Sequence, residues 1–198
     1  MQNTIRWIFA LAALAQNLAA PPTDSWPKSG GNLFNQNYSP LTQINRQNIG
    51  GLKALWRARL DGSGAAAKYS GEAQPIMHDG VVFIVTGADD VFAISVKTGE
   101  TLWKYQPNLD GKISTVCCGW TSRGLAVGEG KIYVGQLDGR LVALDEKSGK
   151  VAWSIQAERW QEGYTITAAP LFYDGRVIVG FAGGENGTRG RVKAYDAK

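Results

Sequence analysis

Three stretches of the chain open on glycine and continue in β-branched and aromatic residues: Gly80-Val-Val-Phe-Ile-Val, Gly130-Lys-Ile-Tyr-Val-Gly and Gly175-Arg-Val-Ile-Val-Gly. Side chains of that shape suit a pleated, half-buried surface, and each run has the length of a strand. Between Gly130 and Asp145, the runs 132–136 and 140–144 flank Asp138-Gly139, a dipeptide that supplies the positive φ angles of a tight hairpin turn. Five Asp-Gly pairs, at Asp61, Asp79, Asp110, Asp138 and Asp174, make the chain rich in this signal. Outside the N-terminus no segment sustains an apolar period of 3.6 residues, so the pattern predicts an all-β chain.

The pattern also repeats. Ala93-Ile-Ser-Val-Lys-Thr-Gly99-Glu-Thr-Leu-Trp103 and Ala143-Leu-Asp-Glu-Lys-Ser-Gly149-Lys-Val-Ala-Trp153 lie 50 residues apart, and Ala194-Tyr-Asp-Ala-Lys198 begins a third copy. Trp56 closes an earlier, degenerate one. Self-similarity at this period signals stacked supersecondary units. Four short strands per unit make the blade of a β-propeller, with the recurring tryptophan as the apolar wedge between blades. Closure takes about 4–8 blades. About three are present and the chain stops inside a motif, so residues 21–198 are expected to be the N-terminal part of a longer propeller, truncated at the C-terminus.

Arg6 precedes the apolar run Trp7 to Ala15, and no acidic residue occurs before Asp24. That run is too short to span a bilayer, which needs about 20 apolar residues, so an integral membrane protein is not expected. A basic start, a short apolar core and small residues behind it read as a secretory signal over residues 1–20, with cleavage after Ala15 or Ala20. The 21 basic and 17 acidic residues leave a net charge of +4 without clusters, which argues against a nucleic-acid partner. A single histidine, His78, excludes a His-rich metal site, and its place beside Asp79-Gly80 reads as a polar loop position.

Departures from the repeat mark the candidate site. Glu72, Arg123 and Thr167 stand 8, 7 and 8 residues before Gly80, Gly130 and Gly175, each ahead of a first strand. In a propeller those strands border the central channel, so an acid, a base and a hydroxyl would meet around one polar ligand. Where the middle repeat turns tightly, the last carries Ala182-Gly183-Gly184-Glu185-Asn186-Gly187-Thr188-Arg189-Gly190. Its glycines allow backbone to approach a flat ligand, and Glu185 is a candidate oxygen ligand for Ca²⁺. Cys117-Cys118 is the third departure. In an exported chain the two may bond to each other or remain free, and a bridge between neighbours would strain the local backbone. Neither C-x-x-C nor C-x-x-C-H occurs, so zinc and covalently attached haem have no support.

Taken together, the Cys-Cys pair, Arg123 five residues later, Thr167-Ala-Ala-Pro and Gly183-Gly-Glu resemble the pyrroloquinoline quinone (PQQ)-dependent alcohol dehydrogenases. The segment from Trp26-Pro-Lys-Ser-Gly-Gly-Asn32 through Asn35-Gln-Asn-Tyr-Ser-Pro-Leu41 to Trp56 resembles that family's N-terminal signature. The resemblance implies an eight-bladed propeller with PQQ and Ca²⁺ in its channel, and a periplasmic enzyme oxidising alcohols to aldehydes with a c-type cytochrome as electron acceptor. It implies that Cys117 and Cys118 form a vicinal disulfide over the quinone, and that Glu72, Arg123 and Thr167 hydrogen-bond PQQ. Ala182, Gly183 and Gly184 would supply backbone beside the ring, and Glu185 would ligate Ca²⁺. The family's catalytic Asp would lie beyond position 198, which implies that this polypeptide alone is inactive. A rival expectation is a non-catalytic propeller scaffold of outer-membrane protein assembly, which shares the tryptophan repeat but not the cysteine pair or Gly-Gly-Glu.

Overall fold

A computed structural model describes residues 18–62 and 69–198; the expected signal falls almost wholly on residues 1–17, outside the described residues. The strands are β1 (Tyr69–Ser70), β2 (Ile76–His78), β3 (Val81–Val85), β4 (Val91–Ser95), β5 (Thr101–Tyr105), β6 (Trp120–Thr121), β7 (Ala126–Gly128), β8 (Lys131–Gly135), β9 (Arg140–Asp145), β10 (Val151–Gln156), β11 (Leu171–Tyr173), β12 (Arg176–Gly180) and β13 (Val192–Asp196). They form two antiparallel four-stranded blades, β2-β3-β4-β5 and β7-β8-β9-β10, and a three-stranded third, β11-β12-β13. β1 and β6 pair in parallel beside them. None of the described helices is long and apolar enough to cross a membrane.

The aspartyl-glycine signals divide by context. Asp79-Gly80 and Asp174-Gly175 have both φ angles positive and make two-residue turns between β2 and β3 and between β11 and β12; Glu129-Gly130 does the same before β8. This is the mirror-image turn whose twist matches a hairpin. Asp138-Gly139 differs from expectation. Only Gly139 is left-handed, and its amide bonds Gln136 at 3.0 Å across a longer turn. Asp110 closes a loop, with the Ile113 amide on its carbonyl, and Asp61 lies in irregular chain. The outer strands also run past their tryptophans, to Tyr105 and Gln156, rather than ending on them.

Period-two alternation builds both interblade cores from the middle blade. Ile132, Val134, Val142 and Leu144 pack against Ile76, Phe83, Val85 and Val91 of the first blade. Their neighbours Tyr133, Leu141 and Ala143 pack against Ile166, Val177 and Val179 on the third-blade side. Burial on both faces explains why β8 and β9 read as nearly continuous apolar runs. Fully burying such a side chain contributes about 1.5–3 kcal/mol.

The tryptophan wedge is explicit. The indole N–H groups of Trp56, Trp103 and Trp153 donate to the carbonyls of Val96, Glu146 and Ala197, each in the following repeat, at 2.8, 3.0 and 3.2 Å. Trp56 covers Gly99 as Trp103 covers Gly149. Residues 52–60 therefore occupy the place of an outermost strand, with Leu52 and Leu55 exposed.

Candidate functional site

The parallel pairing Tyr69↔Trp120 and Ser70↔Thr121 sets a register that brings Glu72 opposite Arg123. Their side chains meet, Arg123 Nε to Glu72 Oε2 at 3.1 Å, with about half of each exposed. Ser70 Oγ donates to the other carboxylate oxygen at 2.9 Å. The Arg123 amide donates to the Thr167 carbonyl at 3.0 Å, joining the third lead-in to the first two. Gly124 explains the tightness of this junction. A Cβ there would stand 3.3 Å from Ala169 and 3.5 Å from the Gln74 carbonyl, and its φ is +141°. Residues from the inner ends of three successive blades thus converge, as the repeat alignment predicts.

Cys117 and Cys118 sit on an exposed loop as two thiols, with their sulfurs 2.8 Å apart. The hydrogen bond shared with Cys118 pushes the Cys117 thiol up; the Glu185 carboxylate adds to this and the Arg123 guanidinium opposes it. Trp120, almost fully buried, closes the loop by donating its indole N–H to the Ile113 carbonyl at 3.0 Å.

In the glycine loop the expectations divide. Ala182 uses both backbone groups to bridge Thr165, its N–H at 2.9 Å and its carbonyl at 3.2 Å, so its amide is not available to a ligand. Gly183 has φ +134°, and a Cβ there would come within 2.1 Å of the Gly163 carbonyl, so its glycine serves chain packing. Gly184 faces open space, with nothing within 4 Å of where its Cβ would stand. Glu185 is exposed and follows Gly184 into a single 3₁₀ turn.

The hydroxyls of Thr115, Thr121 and Thr165 are buried without hydrogen-bond partners among the described residues. They adjoin the cysteine pair, Arg123 and Ala182 in turn. Buried polar groups normally have partners, and these hydroxyls are exceptions that the surrounding protein closes off. A cation finds less here: no group of three His, Cys, Asp or Glu side chains gathers among the described residues, and Glu185 could supply one ligand of the roughly 6–8 oxygens that Ca²⁺ takes. Ser70, Trp120 and the three threonines were not legible from the repeat, because none departs from it in an aligned position. His78 corrects the sequence reading. It lies in β2, and its Nδ1–H donates to Glu146 Oε1 of the next blade at 2.5 Å.

Fold and site together define a β-propeller portion in which the lead-ins of three successive blades meet at an acid–base pair, Glu72 with Arg123, tied to the Thr167 backbone. The family model "PQQ: Glucose/ethanol/alcohol dehydrogenase, beta-propeller domain" matches residues 26–198, and the chain belongs to that family. It is 41% identical over 181 residues to the dehydrogenase subunit of the quinone alcohol dehydrogenase of Gluconacetobacter polyoxogenes, covering 88% of this chain and 24% of that protein. The crystal structure of quinohemoprotein alcohol dehydrogenase from Comamonas testosteroni superposes with a TM-score of 0.82 at 37% identity, over 91% of this chain and 26% of that one. A europium-containing methanol dehydrogenase follows at TM-score 0.78 and 33% identity, over 88% and 30%. The chain spans about a quarter of the length of these relatives.

Proposed function

We propose that this chain is the N-terminal portion of a periplasmic PQQ- and calcium-dependent alcohol dehydrogenase that oxidises alcohols to aldehydes and passes electrons to a c-type cytochrome. The observation that carries the reading is the Glu72–Arg123 pair tied through the Arg123 amide to the Thr167 carbonyl. When bound, PQQ supplies the two-electron acceptor for the alcohol, with Ca²⁺ as the Lewis acid on its carbonyl.

The residues of this chain bind and orient. Arg123 offers charge-assisted donors to carboxylates, and Glu72 fixes the plane of its guanidinium. Thr167, nearly buried and joined to Arg123 through its carbonyl, would supply a hydroxyl. Cys117 and Cys118, as a disulfide formed by oxidation after export, would pack against the cofactor. Gly184 leaves room at its edge, and Glu185 contributes one oxygen to the metal. Further metal ligands and the proton-accepting acid come from sequence outside residues 1–198.

The test is titration of the complete apo-protein with PQQ and Ca²⁺, read by tryptophan fluorescence and by ethanol oxidation. Saturable quenching and activity dependent on both support the reading; indifference to both overturns it. The 198-residue chain assayed alone should show no turnover.

A further inference from the structure

One buried acid has no part in the site described above. Asp89 is fully buried between β3 and β4, with its backbone in the left-handed region at φ +60°. Aspartate tolerates that conformation better than most side chains. Its Oδ2 accepts the Leu137 amide of the second blade at 2.7 Å, across 48 residues of sequence, and Oδ1 has no hydrogen-bond partner among the described residues. Burial pushes the carboxyl well above the usual carboxylate range; the Leu137 amide pulls the other way, and the charges of Asp138 and Asp90 add to the rise. Without this acceptor the Leu137 N–H would be a buried, unpaired donor, an arrangement that folded chains avoid.

Leu137 connects the acid to the site. Fully buried, it packs with Ala88, Ile113 and Trp120. Trp120 closes the loop 113–120 that carries both cysteines, and then opens β6, whose register leads to Arg123. Ser122, itself 1% exposed, is the residue before Arg123.

We propose that Asp89 is a positioning residue: by holding the Leu137 amide, and through Leu137 the packing of Trp120, it fixes the seat of the loop bearing Cys117 and Cys118 and the approach of Arg123. The geometry stands alone; the expected effect on cofactor affinity rests on the PQQ reading.

The test compares the complete protein with its Asp89→Asn and Asp89→Ala variants and with Val179→Ala, a packing control in the other interblade core. Three quantities are read: melting temperature, alkylation rate of the reduced Cys117 and Cys118 by iodoacetamide, and the PQQ dissociation constant. Asparagine keeps an oxygen for the Leu137 amide, so Asp89→Asn should stay within about threefold of wild type in rate and affinity. Asp89→Ala should speed alkylation about fivefold or more and weaken PQQ about tenfold. Val179→Ala should lower the melting temperature while leaving alkylation unchanged. If Asp89→Ala does not fold, Asp89→Ser takes its place, with a shorter side chain that cannot span to Leu137. Alkylation no faster in the acceptor-deleted variant than in Val179→Ala overturns the proposal, as does an Asp89→Asn protein as perturbed as Asp89→Ala. If even wild type binds no PQQ, the cofactor reading fails while the alkylation series still decides the role of Asp89.

Discussion

The ring of Trp103 occupies the space that a side chain on Gly149 would need. A Cβ there would fall 2.5 Å from the ring, while the indole N–H reaches the Glu146 carbonyl three residues earlier. The glycine of each Thr/Ser-Gly turn thus serves twice, at φ +68° in this case and as the floor of the preceding blade's wedge.

Gly149→Ala should therefore destabilise the protein by about 2–4 kcal/mol, combining left-handed strain with overpacking. Gly130→Ala has a similar φ of +69° but open space around its Cβ, and should cost only about 1–2 kcal/mol. Urea denaturation of the two variants measures the difference. Equal losses would show that the wedge contact contributes nothing.

His78 and Glu146 tie the first blade to the second with side chains 24% and 13% exposed. The hydrogen bond that His78 donates to Glu146 is the main cause of its raised pKa; burial opposes it, and the charges of Glu146, Asp79 and Asp24 add to it. A raised folded value stabilises the protein fully below the unfolded histidine's 6.5, and that contribution fades as pH climbs through the folded value. Stability should fall between slightly acidic and mildly alkaline pH in wild type, and His78→Gln should flatten the slope. Melting temperatures across that range test it.

Arg123→Lys keeps the charge but loses the planar fork that Glu72 orients. Because the pair is half exposed, its loss should change stability by less than about 1 kcal/mol. PQQ affinity should drop about 10–100-fold, since lysine cannot replace paired donors to a carboxylate. Fluorescence titration of the complete apo-protein gives the number; unchanged affinity would remove Arg123 from the cofactor site.

Gly183 and Gly184 separate a folding role from a ligand role. Gly183→Ala meets the Gly163 carbonyl at 2.1 Å in a strained backbone and should lower the melting temperature by several degrees. Gly184→Ala meets nothing and should leave it within about a degree, yet weaken PQQ binding by filling the open space. A Gly184→Ala protein with full affinity would place the ring elsewhere.

Much of the site was legible because the repeat supplied its own ruler. Glu72, Arg123 and Thr167 could be aligned on Gly80, Gly130 and Gly175, and the structure brings them together. The glycine loop was only half readable. Ala182 and Gly183 look the same in sequence as Gly184, but one is bound to Thr165 and the other lies against Gly163. His78 was misjudged because its partner Glu146 stands 68 residues away. Asp89 gave no signal at all, since an acid at a turn reads as solvated until the burial around it is known.

Local chemistry was enough to settle the strands, the hairpins at Asp79 and Asp174, the repeating wedge and the blade class. Alternation, left-handed turn residues and periodic tryptophans all act within a few residues of chain. Which hydroxyls are buried without partners, which acid pairs with which base, and which glycine faces open space were decided by how one blade stacks on the next. Those contacts join residues such as Glu72 and Arg123, 51 positions apart, and no local preference encodes a distance of 3.1 Å between them.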